Sequence, residues 1–240
     1  MKVGIIIITY NLDARIFLLQ IECIRKFCKD ENYTIEVVDN SSNEEMAETI
    51  RHHAQEQEVN YKRTYSSFTN DSRSHSFAAN LSYNTFKNVY DVFFYLDHDC
   101  IPVKEFSVLE MLGDSIIAGV RAGIKTFYYW PGCLIWNNTL IDKELINFNP
   151  NNELRLDTGG EFYKVIEKYG DGCKYFDEIG YENPYFFNTP LYYFYTTIYK
   201  NTFLHFIGAS NWMALEKNEE RLNSLINITT NKINEQISDV

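Results

Sequence analysis

The sequence predicts an α/β fold in which helices cover both faces of a mostly parallel sheet. In the N-terminal part of the chain, short apolar runs rich in β-branched residues alternate with longer segments of helical periodicity. The first run, at residues 3–9, is dominated by isoleucine, as expected of a strand that is buried on both faces. Alternation of this kind indicates a parallel sheet whose strands are joined by right-handed crossovers.

The first elements follow in order from this periodicity. The strand at residues 3–9 stops at Tyr10-Asn11, and apolar residues on one helical stripe predict a helix over about residues 13–29. A second short strand, at residues 34–38, ends in Asp39-Asn40-Ser41-Ser42. Ser42 and Glu45 have the spacing of a capping box, which predicts that the next helix begins there and runs to about residue 57.

The following elements complete the N-terminal half of the chain. The sequence predicts a strand near residues 60–65, a polar loop at 66–74, a helix at about 77–87 and a strand at 92–96. This last strand leads directly into Asp97-His98-Asp99. The pattern is typical of further strand–helix alternation in the same sheet.

Beyond residue 102 the pattern is mixed and more aromatic. Strands are predicted at residues 115–120 and 202–206, and an aromatic-rich segment at 127–136 is interrupted by Pro131-Gly132. Asp157 introduces a helix that runs to about residue 169. A loop at 207–211 and a polar helix at about 215–238 end the chain. Because no internal repeat and no linker is visible, we expect one domain in two halves.

The overall charge argues against a nucleic-acid-binding surface. Lysine and arginine number 22 against 33 acidic residues, which gives a formal net charge of −11. A protein that follows a phosphate backbone needs a basic face, whereas a single nucleotide needs only a local site. The five dispersed cysteines suit a reducing compartment, and no apolar stretch approaches the ~20 residues of a membrane span. We therefore expect a cytoplasmic protein.

Polar clusters follow three of the predicted strands at the point where each strand ends. They are Thr9-Tyr10-Asn11, Asp39-Asn40-Ser41 and Asp97-His98-Asp99. The carboxyl ends of parallel strands lie on one rim of a sheet, where ligands bind in open α/β folds. The three clusters therefore predict a site on that rim.

Asp97 and Asp99 have two interpretations. The plain one is a solvated strand end, since an Asp-x-Asp pattern is common. However, four apolar residues precede the pair, which places the carboxylates at the mouth of the core. Two oxygen ligands in this position suit Mg²⁺ or Mn²⁺, which complete their coordination with substrate phosphates. His98, between them, is interpreted as a spacer.

Three other candidates also keep two interpretations each. Asp39 is either part of a turn or a contact to a ribose or base. His205 is either a core residue or a further ligand to a divalent ion. Asp157 is either a helix N-cap or a general base.

Taken together, these residues resemble the family 2 glycosyltransferases with the GT-A fold. The motifs that carry the resemblance are Ile8-Thr9-Tyr10-Asn11, Val37 to Ser42, Phe77-Ala78-Ala79-Asn80, Asp97-His98-Asp99, Trp130-Pro131-Gly132, Leu156 to Gly160, and His205 with Gly208 and Ser210. Ser74 stands where the family usually has glycine, and Ala79 stands where arginine is frequent. Asp157 also lacks the acidic neighbour that often accompanies the family's base.

The resemblance implies a Rossmann-like, mostly parallel sheet with a mixed second half, in a single catalytic domain at residues 1–214. Residues 1–102 would bind the nucleotide sugar and residues 103–214 would bind the acceptor, whereas the C-terminal helix at residues 215–240 shows no resemblance to the family. The implied activity is the inverting transfer of a hexose or deoxyhexose from a UDP-, GDP- or dTDP-linked donor to a hydroxyl of a glycan or glycolipid, in polysaccharide biosynthesis. Three roles are open for the C-terminal helix: it packs on the domain, it pairs with another copy in a dimer, or it contacts a membrane-bound partner, which would place the protein at a membrane assembly.

The resemblance also implies a role for each site residue. Donor-binding residues would be Thr9, Tyr10, Asn11, Asp39, Ser41, Arg73, Asn80 and Asp97. Asp99 and His205 would hold Mn²⁺ or Mg²⁺, and Asp157 would be the catalytic base, with Glu161 as the competing candidate. Trp130, Gly132 and Glu161 would contact the acceptor.

Two other classes of function remain open at the level of sequence. A nucleotidyltransferase also uses paired acids on Mg²⁺, but it normally has a glycine-rich loop with a basic residue after its first strand. Residues 10–14 contain no glycine, and Arg15 is the nearby base. A non-catalytic carbohydrate-binding protein would use the aromatic residues as a sugar platform, and it would not need Asp97, Asp99 and His205 together.

Overall fold

The computed structural model describes residues 1–65, 72–181, 196–206 and 218–238, so the predicted loop at 207–211, with Gly208 and Ser210, lies outside the described residues. The strands are β1 (Val3–Thr9), β2 (Tyr33–Asp39), β3 (Asn60–Arg63), β4 (Val92–Leu96), β5 (Cys100–Pro102), β6 (Ile117–Ala122), β7 (Tyr128–Asn137), β8 (Cys173–Tyr175), β9 (Glu178–Tyr181), β10 (Thr196–Tyr199) and β11 (Phe203–Phe206). The helices are α1 (Ala14–Phe27), α2 (Glu44–Glu56), α3 (Ser72–Phe86), α4 (Val108–Leu112), α5 (Tyr163–Tyr169) and α6 (Asn218–Ser238).

The main sheet has seven strands in the order β3-β2-β1-β4-β7-β6-β8. The pairs β3–β2, β2–β1, β1–β4 and β6–β8 are parallel, whereas β7 runs antiparallel to both of its neighbours. The predicted mostly parallel sheet with helices is therefore confirmed. Strands from the two predicted halves of the chain share this one sheet.

The central strands are buried on both faces, which explains their continuous apolar runs. Every residue of β1 and β4 is buried. Ile5 and Phe94 belong to the core on one face of the sheet, while Ile6 and Phe93 belong to the core on the other face. Because side chains alternate along a strand, burial on both faces requires apolar residues at successive positions.

Strand order reverses beside β1, because β2 lies on one side of it and β4 on the other. The three strands are parallel, so Thr9, Asp39 and the Asp97-His98-Asp99 segment reach the same rim. This arrangement confirms the predicted common rim. It also places these residues at the topological switch point, where open α/β sheets bind ligands.

A second sheet lies beyond the end of β4 and was not predicted. Its four antiparallel strands have the order β5-β11-β10-β9. Cys100 pairs with His205 across β5 and β11, and the Phe206 amide donates a hydrogen bond of 2.9 Å to the Asp99 carbonyl. The second sheet therefore holds His205 next to the Asp97–Asp99 segment.

Two predicted helix starts were wrong. Helix α2 is capped by Asn43, whose side chain accepts a hydrogen bond from the Met46 amide, and not by a Ser42 capping box. The Ser42 hydroxyl instead forms a hydrogen bond of 3.0 Å with the Tyr10 hydroxyl. Helix α3 begins at Ser72, so Ser72 to Ser74 are helical and do not belong to a loop.

The segment around Pro131-Gly132 is part of a strand and does not interrupt it. The pairing of β7 with β6 shifts there, since Val120 pairs with Trp130 and Gly119 pairs with Leu134. The extra residues of β7 form a bulge, which is a common way to re-aim a strand next to a functional site. At this bulge the Gly132 carbonyl accepts a hydrogen bond of 2.9 Å from the Asp97 amide.

Helix α6 packs on the chain itself. Leu222 and Leu225 are buried in the core that also contains residues of α1, and Glu219 forms an ion pair of 2.8 Å with Arg15. The predicted dimer through this helix stays a prediction. Among the described residues, no helix is both long enough and apolar enough to cross a membrane.

The buried Thr229 on α6 generates a stability prediction. Its hydroxyl has no hydrogen-bond partner in the described part of the chain, although the residue is fully buried. Thr229→Val removes this hydroxyl at nearly constant shape, so we expect the free energy of unfolding to rise by about 1 kcal/mol in urea denaturation. Thr230→Val, at the exposed neighbouring position, is the matched control. An equal effect of both substitutions would contradict the burial argument.

Candidate active site

The loops that follow β1 and β2 are bonded to each other. Asn11 adopts a left-handed conformation, with φ of 43°, which turns its backbone toward the second loop. Its amide donates to the Ser41 hydroxyl at 2.7 Å, and its side-chain oxygen accepts from the Asn43 amide at 2.9 Å. The two loops therefore form one connected surface at the strand ends, next to Tyr10.

Asp39 is the buried centre of this surface. One carboxylate oxygen accepts from the Thr9 hydroxyl and the Ser41 amide, both at 3.0 Å. The other accepts from the Tyr61 hydroxyl at 2.8 Å and lies 3.4 Å from the Arg63 guanidinium. The buried Asp39 carboxylate therefore holds both loops in place through these hydrogen bonds. A direct contact of Asp39 with a nucleotide stays a prediction.

Asp97 forms an ion pair with a histidine on α3. The His75 Nε2 atom lies 3.1 Å from Asp97 Oδ1. Burial alone would raise the pKa of Asp97, but the charge of His75 holds that pKa below its usual range. Burial would also lower the pKa of His75, whereas Asp97, Asp99 and Asp157 raise it. His75 is therefore a basic side chain that faces the end of β4.

Asp99 is paired with a different histidine, which comes from the second sheet. His205 Nε2 lies 3.5 Å from Asp99 Oδ1, and both side chains are buried. Burial lowers the pKa of His205 and favours the neutral ring. Its Nδ1 atom is 2.8 Å from the Tyr199 hydroxyl, and the ring packs 4.6 Å from the Trp130 ring. These contacts fix the orientation of the imidazole, as outer partners do for metal-bound histidines.

Asp99 and His205 fit a divalent ion as two of its ligands. The described residues contain no group of three or more His, Cys, Asp or Glu side chains that could hold a metal ion. An ion bound here would therefore complete its coordination with phosphate oxygens and water, as Mg²⁺ and Mn²⁺ do at nucleotide sites. An imidazole ligand favours Mn²⁺ over Mg²⁺, which prefers oxygen.

Two buried side chains that the sequence interpretation missed hold the turn from Asp97 to Cys100. Gln20 on α1 donates to the Asp97 carbonyl at 2.7 Å and to the Cys100 carbonyl at 3.0 Å. The signal was a polar residue on the apolar stripe of α1, four residues after Ile16 and four before Ile24. His98 Nδ1 lies 2.9 Å from the Ile8 carbonyl, so His98 is not merely a spacer.

Asp157 is exposed and anchored to the first turn of α3. Its Oδ1 accepts from the Ser72 hydroxyl and from the Thr158 amide, and the Thr158 hydroxyl donates to the Ser72 carbonyl at 3.1 Å. Asp157 is not an N-cap, because the helical turn begins at Gly160 after a left-handed Gly159. Ser72 and His75 lie on the same turn of α3. The carboxylates of Asp97, Asp99 and Asp157 therefore all act on one histidine, His75.

The competing acid, Glu161, is held by the chain. Its carboxylate accepts from the Asn151 side chain at 2.8 Å and forms an ion pair with Lys164. Its side chain is 15% exposed, compared with an exposed Asp157. The contacts of Glu161 are therefore those of a local anchor.

The remaining predicted site residues divide between the rim and more distant positions. Trp130 and Gly132, predicted to contact the acceptor, lie at the strand ends, where a Cβ on Gly132 would be 2.6 Å from Asp97 Oδ2. Arg73 is exposed on the first turn of α3. Asn80 bonds the Phe148 amide at 3.1 Å and Asn149 at 3.0 Å, which ties α3 to a neighbouring loop.

Comparison with known proteins identifies the fold. No family model matches the sequence, and no curated protein matches it. The structure is similar to mannosyltransferase PcManGT from Pyrobaculum calidifontis in complex with GDP-Man and Mn²⁺, with a TM-score of 0.51 and 14% identity over 70% of this chain. This chain spans about half (51%) of that protein.

Two other solved structures are similar to this chain. S. aureus TarS 1-349 has a TM-score of 0.47 and 16% identity over 70% of this chain and 55% of its own. Galactosyltransferase LgtC, in complex with donor and acceptor sugar analogs, has a TM-score of 0.46 and 13% identity over 72% of each chain. The similarity to PcManGT supports the GT-A type of α/β fold.

Gln20 generates a prediction for the turn that carries the carboxylates. Gln20→Leu removes two hydrogen bonds to buried carbonyl groups, so we expect the free energy of unfolding to fall by about 1–2 kcal/mol. Gln55→Leu, on the exposed face of α2, should change it by less than about 0.5 kcal/mol. Chemical denaturation of both variants provides the measurement. A Gln20→Leu protein as stable as the wild type would show that the turn does not depend on this amide.

Proposed function

We propose that the chain is an inverting glycosyltransferase, which moves a sugar from a nucleotide diphosphate donor to an acceptor hydroxyl group. The observation that carries the proposal is the meeting of Asp97, Asp99 and His205 with the Thr9–Asn11 loop on one rim. The fold shared with a mannosyltransferase in complex with GDP-Man and Mn²⁺ supports it.

The donor would bind across the switch point between β1 and β4. The connected loops that contain Tyr10, Asn11 and Ser41 offer backbone and side-chain polar groups to a nucleoside. A diphosphate is attracted by positive charge, and the first turn of α3 carries Arg73 together with the cationic His75. These local charges would compensate for the net charge of the chain, which is −11.

Asp99 and His205 would hold Mn²⁺, or less favourably Mg²⁺, against the diphosphate. When bound, the ion would neutralise the charge that develops on the leaving diphosphate as a Lewis acid. The chain contributes the orientation of both ligands, since Tyr199 and Trp130 fix the His205 ring and the second sheet fixes Asp99 through its carbonyl. Asp97, already paired with His75, would instead contact the donor nucleoside or sugar.

Asp157 would act as the general base. Its side chain is exposed, so an incoming hydroxyl group can reach it. The Ser72 hydroxyl and the Thr158 amide both donate to Oδ1, and these two hydrogen bonds fix the orientation of the carboxylate. It would take the proton of the acceptor hydroxyl as that oxygen attacks the anomeric carbon from the face opposite to the diphosphate. A single displacement of this kind inverts the configuration at that carbon. Glu161 is engaged by Lys164 and Asn151, so Asp157 is the better candidate.

The alternative functions give different results in a ligand screen. Isothermal calorimetry with UDP-, GDP- and dTDP-linked sugars in the presence of Mn²⁺ should show one preferred donor for a glycosyltransferase. A nucleotidyltransferase would instead release pyrophosphate from a nucleoside triphosphate and a sugar phosphate. A carbohydrate-binding protein would bind free glycans with no dependence on Mn²⁺. The preferred donor should also be slowly hydrolysed, with water in the place of the acceptor.

The assignment of Asp99 predicts that Asp99→Ala abolishes metal-dependent donor binding. The substitution removes a carboxylate ligand, and His205 alone offers the ion one bond. The measurement is the dissociation constant of the preferred nucleotide sugar with and without Mn²⁺. Asp114→Ala, at an exposed acid away from the rim, is the control and should bind as the wild type does. Unchanged Mn²⁺-dependent affinity in Asp99→Ala would refute the assignment.

The assignment of Asp157 predicts a separation of binding from chemistry. Asp157→Asn keeps the shape of the side chain and removes its basicity, so donor hydrolysis should fall by about 100-fold or more. The dissociation constant of the donor should stay within about twofold, because Asp157 lies on the acceptor side of the site. Glu161→Gln is the comparison variant. If Glu161→Gln loses hydrolysis and Asp157→Asn retains it, the base is Glu161.

A further inference from the structure

His98 occupies the crevice between β1 and β4 and extends their pairing. The parallel ladder pairs Ile6 with Tyr95, and β4 ends at Leu96. Beyond that point the His98 ring replaces the missing backbone partner, since Nδ1 lies 2.9 Å from the Ile8 carbonyl. A carbonyl oxygen only accepts hydrogen bonds, so Nδ1 carries the proton and donates it. The ring is thereby fixed at the switch point.

The other nitrogen of this ring has no partner. His98 is 6% exposed, and Nε2 is buried without a hydrogen bond from any described residue. With the proton on Nδ1, the neutral ring presents a lone pair at Nε2, on the opposite edge from the Ile8 carbonyl. Buried acceptors in folded proteins are generally satisfied. An acceptor left open at a ligand-binding crevice therefore points to a donor group on the ligand.

Of the two carboxylates near His98, one offers a second hydrogen-bond acceptor and the other is already occupied by hydrogen bonds within the loops. The charges that act on the ring come from Asp97, Asp39 and His75. Both Asp39 oxygens are already engaged within the loops. Asp97 uses Oδ1 for His75, while Oδ2 faces the space beside Gly132. Asp97 Oδ2 and His98 Nε2 are thus two acceptors carried by consecutive residues directly after β4.

We propose that His98 Nε2 accepts a hydrogen bond from a ribose hydroxyl group of the donor nucleotide. Ribose carries two adjacent hydroxyl groups, and each could donate to one of the acceptors on the consecutive residues Asp97 and His98. The 2′-deoxyribose of a dTDP-linked donor has one of these groups and would leave one acceptor buried and unpaired. The inference rests on the proposed function, and it narrows the donor to a ribonucleotide such as a UDP- or GDP-linked sugar.

A comparison of nucleotide analogues tests the proposal without altering the protein. Calorimetry in the presence of Mn²⁺ would compare UDP and GDP with their 2′-deoxy and 3′-deoxy forms. The nucleotide that binds better should lose roughly tenfold in affinity when a hydroxyl group is removed, because a buried acceptor loses its partner. Equal affinity for the ribose and both deoxyribose forms would overturn the role of His98.

The variant His98→Asn then isolates the Nε2 atom. The amide nitrogen of asparagine occupies the position of Nδ1 and can still donate to the Ile8 carbonyl, whereas nothing replaces Nε2. We expect an unfolding temperature close to that of the wild type and a preference for one of the two ribose hydroxyl groups that falls to about twofold or less, while the preference for the hydroxyl group paired with Asp97 is kept. A preference retained in full by a folded His98→Asn protein would overturn the proposal.

These experiments distinguish a failure of the proposed function from a failure of the assignment of His98. If none of UDP, GDP and dTDP binds to the wild type in the presence of Mn²⁺, the proposed function itself is wrong, and the assignment of His98 falls with it. If one of them binds and the ribose preference is absent or does not depend on His98, the glycosyltransferase proposal stands and only the assignment of His98 is rejected.

Discussion

Two carboxylates at the end of one buried strand are the constraint on which the rest of the site depends. Asp97 and Asp99 follow β4 directly, and carboxylates at the mouth of a core are costly without compensating partners. Each has its own imidazole: His75 from α3 faces Asp97, and His205 from β11 faces Asp99. The two elements that supply these histidines are therefore brought to the same rim of the sheet.

This pairing gives the two carboxylates different chemistry. In the Asp97–His75 pair, His75 lowers the pKa of Asp97 and so favours the charged carboxylate, which suits hydrogen bonding to hydroxyl groups. The Asp99–His205 pair contains a carboxylate beside a ring whose pKa is lowered by burial, which favours the neutral imidazole that the proposed metal role requires. Asp157 is held near the same histidine because it is hydrogen-bonded to Ser72, which lies on the first turn of the helix that carries His75.

Sequence reasoning predicted the parts of the fold whose pattern is local. The β1, β2 and β4 runs were visible because burial on both faces demands apolar residues throughout, and their polar ends then located the rim. The second sheet was not predictable in this way: the strand at β11 was expected, but its pairing with the three-residue strand β5, about a hundred positions earlier, leaves no local signal in the sequence. The His75–Asp97 pair likewise depends on how α3 packs, which sequence spacing does not encode. Gln20 left a readable signal, a polar residue on an apolar helical stripe.

The most direct test of the account is the position of the metal. Crystals of the protein grown with Mn²⁺ and UDP or GDP would give an anomalous difference map that locates the ion independently of any activity. The account predicts a peak within about 2.5 Å of both Asp99 and His205 Nε2, with diphosphate oxygens completing the coordination. An ion that is bound by Asp97, or that is bound away from His205, would contradict it.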